Sequence, residues 1–253
     1  MQLNRPVEWI SETKFVVDGL EFGGDLASFT EKTTPERVVI LKDSRLLRQY
    51  LDFLAPHSIN NILELGIWQG GSPLFYGLAT DARKVVALDI ATPSPPALEQ
   101  IIREHGVADK VKLHFGTSQD DRDAVTAIMD REFGDEPLDL VIDDASHQYC
   151  FTRRSFEIAF PRLRPGGFYI IEDWQWAHID SPKYQNGEVF GDQPALTNFI
   201  FELLVAYGGH PDLFWNMVVR DWFIVVQKGS RPLGSDFRLD DLLRMRGKSL
   251  WLI

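Results

Sequence analysis

Residues 62–79 read ILELGIWQGGSPLFYGLA. The segment opens as a short apolar run, passes through Gly66, Gly70 and Gly71, and continues as an apolar helical stretch. A strand that turns through glycines into a helix is the repeating step of a parallel α/β sheet. Glycines let the backbone turn sharply and approach a ligand closely, and a helix start offers N–H groups with no partner inside the helix. The spacing departs from the G-x-G-x-x-G that seats a pyrophosphate. Glu64 precedes the first glycine, and Asp89 closes the next apolar run, where a carboxylate can accept hydrogen bonds from ribose hydroxyls.

Working outward, NILEL (61–65), KVVALD (84–89), VKLHF (111–115), LDLVID (138–143) and FYIIED (168–173) read as strands. The stretch after Gly71, PALEQIIREHG, DAVTAIMDREF and TRRSFEIAFPRL read as the helices between them. This alternation predicts a parallel sheet covered on both faces. PALTNFIFELLVAYG (194–208) is a further helix, and LFWNMVVRDWFIVVQKG (213–229) predicts a hairpin turning near Arg220 and Asp221. The fold class is therefore α/β, a Rossmann-like doubly wound, mostly parallel seven-stranded sheet with a C-terminal antiparallel hairpin. Ahead of it, DSRLLRQYLDFLAP puts Leu46, Leu47, Tyr50, Leu51 and Leu54 on one helical face, capped by Asp43 or Ser44. Met129, Phe156, Phe160 and Leu204 fall in helical core patterns. The first forty residues show no clean period. The expected division is an N-terminal extension (1–42), a main domain (43–230) and a C-terminal tail (231–253).

Composition narrows the function. A net charge of −11 argues against a nucleic-acid surface, which needs clustered Lys and Arg, and against an anionic membrane surface. No apolar run reaches the roughly 18 residues of a membrane-spanning helix, and the first residues lack a signal-peptide core. Cys150 is the single cysteine, so no intrachain disulfide forms and a reducing, cytoplasmic setting is expected.

LDLVIDDASHQYC (138–150) is the second informative stretch. A buried strand ends in Asp143 and Asp144, with His147 close behind. The strand after RPGG ends in Glu172 and Asp173, so adjacent parallel strands bring four carboxylates to one rim. They repel one another unless a cation is present, and a hard divalent ion such as Mg2+ suits oxygen donors. His147 is the side chain best suited to moving a proton near neutral pH. Neighbours on a regular strand face opposite ways, so Glu172 and Asp173 share an ion only if the strand has ended. The long polar stretch between Trp174 and Gln193 reads as a functional loop.

The glycine pattern with acids at Glu64 and Asp89 resembles class I S-adenosylmethionine-dependent methyltransferases, over roughly residues 45 to 229. The resemblance implies cofactor binding by Glu64, Gly66, Gly70, Ser72 and Asp89, and it places Thr117 and Ser118, in FGTS, beside the adenine. DDASH, RPGGFYIIEDW and the step from Asp144 to Glu172 resemble a narrower group, the metal-dependent sugar O-methyltransferases of macrolide and related pathways. That resemblance implies Mg2+ or another divalent cation on Asp144, Glu172 and Asp173. It also implies catalysis by Asp144 and His147, with His147 as general base, a glycosylated small-molecule acceptor, and self-association into a homo-oligomer. Asp143 supports either the loop or the cofactor's amino group. Tyr149, Trp174, Trp176 and His178 lie on the presumed acceptor side, where stacking and plain packing are equally open. The rival readings are methylation of a non-sugar hydroxyl, a non-catalytic S-adenosylmethionine-binding partner, and a nicotinamide-dependent reductase.

Overall fold

The computed structural model describes residues 1–24, 29–250 and 253; the remaining residues of the extension and tail lie outside it. The chain divides into two compact units, Met1–Thr117 and Ser118–Ile253.

In the first unit, β1 (Val7–Trp9), β2 (Lys14–Val17), β3 (Leu20–Gly23) and β4 (Arg37–Val38) form a four-stranded sheet in that order. The N-terminal extension is thus built structure. Its strands are two to four residues long, too short for alternation to show. Phe15 and Phe22 stack at 5.1 Å and meet Phe75 edge-on, Phe15 at 5.4 Å. Then follow α1 (Ser44–Leu54), β5 (Asn61–Leu65), α2 (Gly71–Ala79), β6 (Lys84–Asp89), α3 (Ala97–Glu104) and β7 (Val111–Phe115). The Asp43 carboxylate accepts from the Leu46 N–H at 2.7 Å and starts α1, whose Leu46, Leu47, Tyr50 and Leu54 are buried. Strands β5, β6 and β7 pair in parallel.

The second unit contains α4 (Arg122–Phe133), β8 (Leu138–Asp143), α5 (Tyr149–Ala159), β9 (Leu163–Glu172), α6 (Pro182–Gln185), α7 (Thr197–Gly209), β10 (Phe214–Val219) and β11 (Phe223–Lys228). Strands β8 and β9 run parallel, while β11 pairs antiparallel with β9 and β10. The seven-stranded sheet has the order β10-β11-β9-β8-β5-β6-β7. Strand β9 begins earlier than the apolar run suggests. It takes in Gly166 and Gly167, where the register against β8 shifts near Leu138 and Leu140. It ends at Glu172 because Asp173 adopts φ +56°.

The core of this unit is aromatic: Phe156 packs on Phe160, Tyr169, Phe199 and Phe237. Phe237, Leu239 and Leu242 of the C-terminal tail are buried. Leu204, expected in the core with Met129, Phe156 and Phe160, is 45% exposed. Helix α7 is apolar on most of its circumference and buries Phe199, Ile200, Leu203 and Ala206 instead.

Candidate active site

In the first unit the site is the loop between β5 and α2. Glu64 is fully buried at the centre of β5, and Ser72 is buried in the first turn of α2. Gly66, Trp68 and Gly70 all have positive φ, of +101°, +45° and +87°, so the chain winds through three left-handed residues in one short loop. At Gly70 a Cβ would stand 2.3 Å from Leu98 Cδ2, and at Gly71 one would stand 2.6 Å from the Val39 carbonyl oxygen. Both glycines are therefore needed for space, Gly70 also for its backbone.

Asp89 shapes this loop. Its Oδ2 accepts from the Ile67 and Trp68 N–H groups, both at 2.8 Å, and its Oδ1 accepts from the Ala91 N–H at 2.7 Å. Hydrogen bonds to an ionised carboxylate are about twice as strong as neutral ones, so Asp89 clasps a backbone that no propensity favours. The sequence expectation gave Asp89 to the ribose; the structure adds that its carboxylate holds the loop. The Thr117 N–H donates to the Asp89 carbonyl at 2.9 Å.

In the second unit, β8 delivers Asp143 and Asp144 to a turn that leads into α5. Asp143 is buried and accepts from Gln119 Nε2 at 3.0 Å, from Tyr169 Oη at 2.8 Å and from Ser155 Oγ. Burial pushes its carboxyl up to about 6, opposed by those three donors. Of the two roles open to Asp143, the contacts match support of the loop. Ser118 Oγ donates to Asp120 Oδ1 at 2.5 Å.

The cluster forms next to it. His147 Nε2 lies 3.8 Å from Asp144 Oδ1 and 3.7 Å from Asp173 Oδ2. Asp144, His147 and Asp173 each offer one ligand atom within 4.8 Å of the others. Both His147 (φ +55°) and Asp173 (φ +56°) are left-handed, a strained state for non-glycine residues that gathers at functional sites. Asp173 is held there by its N–H, which donates to the Trp222 carbonyl at 2.8 Å. This turn settles the alternation problem: β9 stops before Asp173, which joins the cluster. Glu172 is still in the strand, buried opposite Phe223, and is not one of the three residues brought together. Two carboxylate oxygens and an imidazole nitrogen at this separation fit a divalent cation, and the oxygens fit Mg2+ best.

The four acceptor-side residues separate. Trp176 packs on His147, with ring centroids 4.4 Å apart at 49°. Trp174 Nε1 donates to the Arg220 carbonyl at 3.0 Å, tying the loop to the hairpin turn. His178 is exposed and bonds Thr197 Oγ1. Tyr149 donates to Glu202 at 2.6 Å; burial, then Glu202, push its phenol above the usual range, so it stays a donor. Tyr149 lines a charged cavity of about 820 Å3 with Arg153, Arg238 and Asp240, and none of Asp144, His147 or Asp173 lines that cavity. Sequence reasoning passed over Gln119, whose signal is tertiary: a lone amide between Ser118 and Asp120 shows nothing of its burial.

Residues 63–174 match the family described as a methyltransferase domain. This match spans less than half of the chain. The chain is 31% identical over 125 residues to mycinamicin VI 2''-O-methyltransferase of Micromonospora griseorubida, covering 46% of this chain and 28% of that protein. It is 34% identical over 119 residues to demethylmacrocin O-methyltransferase of Streptomyces fradiae, covering 44% and 27%. The chain also superposes on the solved structure of MycE in complex with Mg, SAH and mycinamycin VI, at TM-score 0.53 and 23% identity over 81% of this chain and 51% of that one. SAH-bound PaMTH1 of Podospora anserina gives TM-score 0.54 at 18% identity, over 74% and 80%. These structures show that the fold is that of class I methyltransferases. The chain spans about a quarter of the two curated relatives it matches and about half of MycE.

Proposed function

We propose that the protein is an S-adenosylmethionine-dependent O-methyltransferase that acts, with a bound divalent cation, on a sugar hydroxyl of a glycosylated natural product. The observation that carries this reading is one histidine nitrogen held within 3.8 Å of two carboxylates at the carboxyl ends of β8 and β9. The names of the relatives, which are sugar and macrolide O-methyltransferases, support the acceptor class.

S-Adenosylmethionine supplies an electrophilic methyl group, so the demanding partner is the alcohol, which is a poor nucleophile near neutral pH. The loop of residues 66–71, clasped by Asp89, cradles the cofactor with Glu64 and Ser72. Asp144 and Asp173 hold the cation, with Glu172 adjacent. A bound cation would supply Lewis acidity toward the acceptor hydroxyl. His147 Nε2 would accept the hydroxyl proton as general base, which requires that nitrogen to stay off the cation while Asp144 and Asp173 hold the ion. Trp176 covers one side of the imidazole and limits its contact with water.

The test is transfer of labelled methyl from S-adenosylmethionine to a panel of glycosylated macrolides and simple catechols, with Mg2+ and with chelator. Transfer to the sugar conjugates that requires Mg2+ supports the reading. Transfer to catechols alone replaces the acceptor class, and S-adenosylmethionine binding with no turnover on either panel rejects the enzyme.

A further inference from the structure

We propose that Gln119 is a positioning residue that tethers the turn carrying Asp144 and His147, an inference that rests on the reading of that turn as the reacting centre. Gln119 follows β7 and is 5% exposed. Its Nε2 donates to Asp143 Oδ1 at 3.0 Å and to Ser155 Oγ at 3.2 Å, while its Oε1 accepts from the Ser146 N–H at 3.0 Å. The orientation of the amide is unambiguous. A backbone N–H only donates and a carboxylate only accepts, so a flipped amide loses both bonds.

Ser146 sits between Asp144 and His147 in the chain, so fixing its amide fixes the peptide that links base and acid. His147 needs this support, because its left-handed backbone persists only where neighbours over-determine it. The far end of the tether is rigid. Asp143 is held by Ser155 and Tyr169, and Ser155 also bonds the Thr152 carbonyl of α5 at 3.0 Å. Gln119 thus joins a buried polar anchor to a strained turn. Residues that orient a site from behind typically cost 10- to 100-fold in metal affinity or activity when removed.

Gln119→Leu removes the tether, and Arg153→Ala removes the ion pairs of α5 with Glu202 and Asp240 without touching Gln119, Asp143 or the turn. On the full chain, Mn2+ affinity is measured by titration, S-adenosylmethionine affinity by calorimetry, and kcat and KM on an active acceptor. Gln119→Leu is expected to weaken Mn2+ binding about 10-fold and kcat about 10- to 100-fold. Its S-adenosylmethionine Kd should stay within about 3-fold, and its His147 ring resonances should shift. Arg153→Ala should lower Tm while keeping kcat and Mn2+ affinity. A folded Gln119→Leu with wild-type kcat, Mn2+ affinity and His147 resonances overturns the proposal, as does equal impairment by Arg153→Ala. Should Gln119→Leu fail to fold, hydrogen exchange in the wild type decides: a protected Ser146 amide supports the tether, and a freely exchanging one overturns it. A wild type that neither binds Mn2+ nor transfers methyl rejects the functional reading, while the Ser146 protection and the His147 shift still decide the tether.

Discussion

His147 and Gly70 occupy the same backbone region for different reasons. Glycine reaches φ +87° at no steric cost, whereas His147 at +55° is held there by the structure around it. Gly70→Ala combines an unfavourable φ with a Cβ driven into Leu98. It is expected to cost about 1–3 kcal/mol of stability, read as a lowered denaturation midpoint, and to weaken S-adenosylmethionine binding at least tenfold by calorimetry. An unchanged midpoint would show that the loop relaxes freely. His147→Ala leaves the cofactor loop untouched. Its turnover should fall by about 10² to 10⁴ while S-adenosylmethionine affinity holds, and full turnover would remove His147 as the base. Both expectations grow from residues legible in the sequence. What was not legible is that Asp89 spends both its oxygens on backbone N–H groups, because only the fold brings the Ile67, Trp68 and Ala91 amides to one carboxylate.

At the scale of elements, α5 carries the turn of Asp144 and His147 at its start and a charged web on its outer face. Arg153 donates to Glu202 at 2.7 Å, to Glu157 at 3.1 Å and to Asp240 at 2.6 Å. It thereby links α5 to α7 and to the C-terminal tail, and the Leu239 N–H adds a bond to Glu157 at 2.9 Å. Asp240 is largely exposed, so its share is small; Glu202 is mostly buried and loses a charged partner when Arg153 goes. Arg153→Ala should destabilise the protein by about 1–3 kcal/mol and speed proteolysis after residue 231, seen by mass spectrometry. Unchanged cleavage would mean that Phe237, Leu239 and Leu242 alone hold the tail. The strands of the parallel sheet were readable because each is a continuous apolar run bounded by turns. The N-terminal sheet was not, since strands of two to four residues carry too few positions to show a period.

For the molecule as a whole, the loop of residues 66–71, proposed to hold the cofactor, belongs to the first compact unit and the acid–histidine cluster to the second, and they share no residue. Removal of divalent ions should therefore abolish turnover and leave S-adenosylmethionine affinity within about 2-fold. Calorimetry in EDTA followed by repletion with Mg2+ checks this, and loss of cofactor binding in EDTA would make the two sites one. Among the described residues no helix is long and apolar enough to cross a membrane, in line with the absence of a long apolar run in the sequence.

By itself the sequence determined the strands of the seven-stranded sheet and the longer helices between them, the glycine turn at residues 66–71, and the presence of Asp144, His147, Glu172 and Asp173 near strand ends, because apolar periodicity and charge are local properties. Tertiary structure alone decided which acids meet. Asp173 reaches His147 only because β9 ends in a left-handed residue held by the Trp222 carbonyl, and Glu172 stays in the strand. It likewise divided the aromatic residues, setting Trp176 on His147 and sending Tyr149 to Glu202. Side-chain contacts between residues far apart in the chain depend on backbone turns a few degrees wide, and no local pattern encodes them.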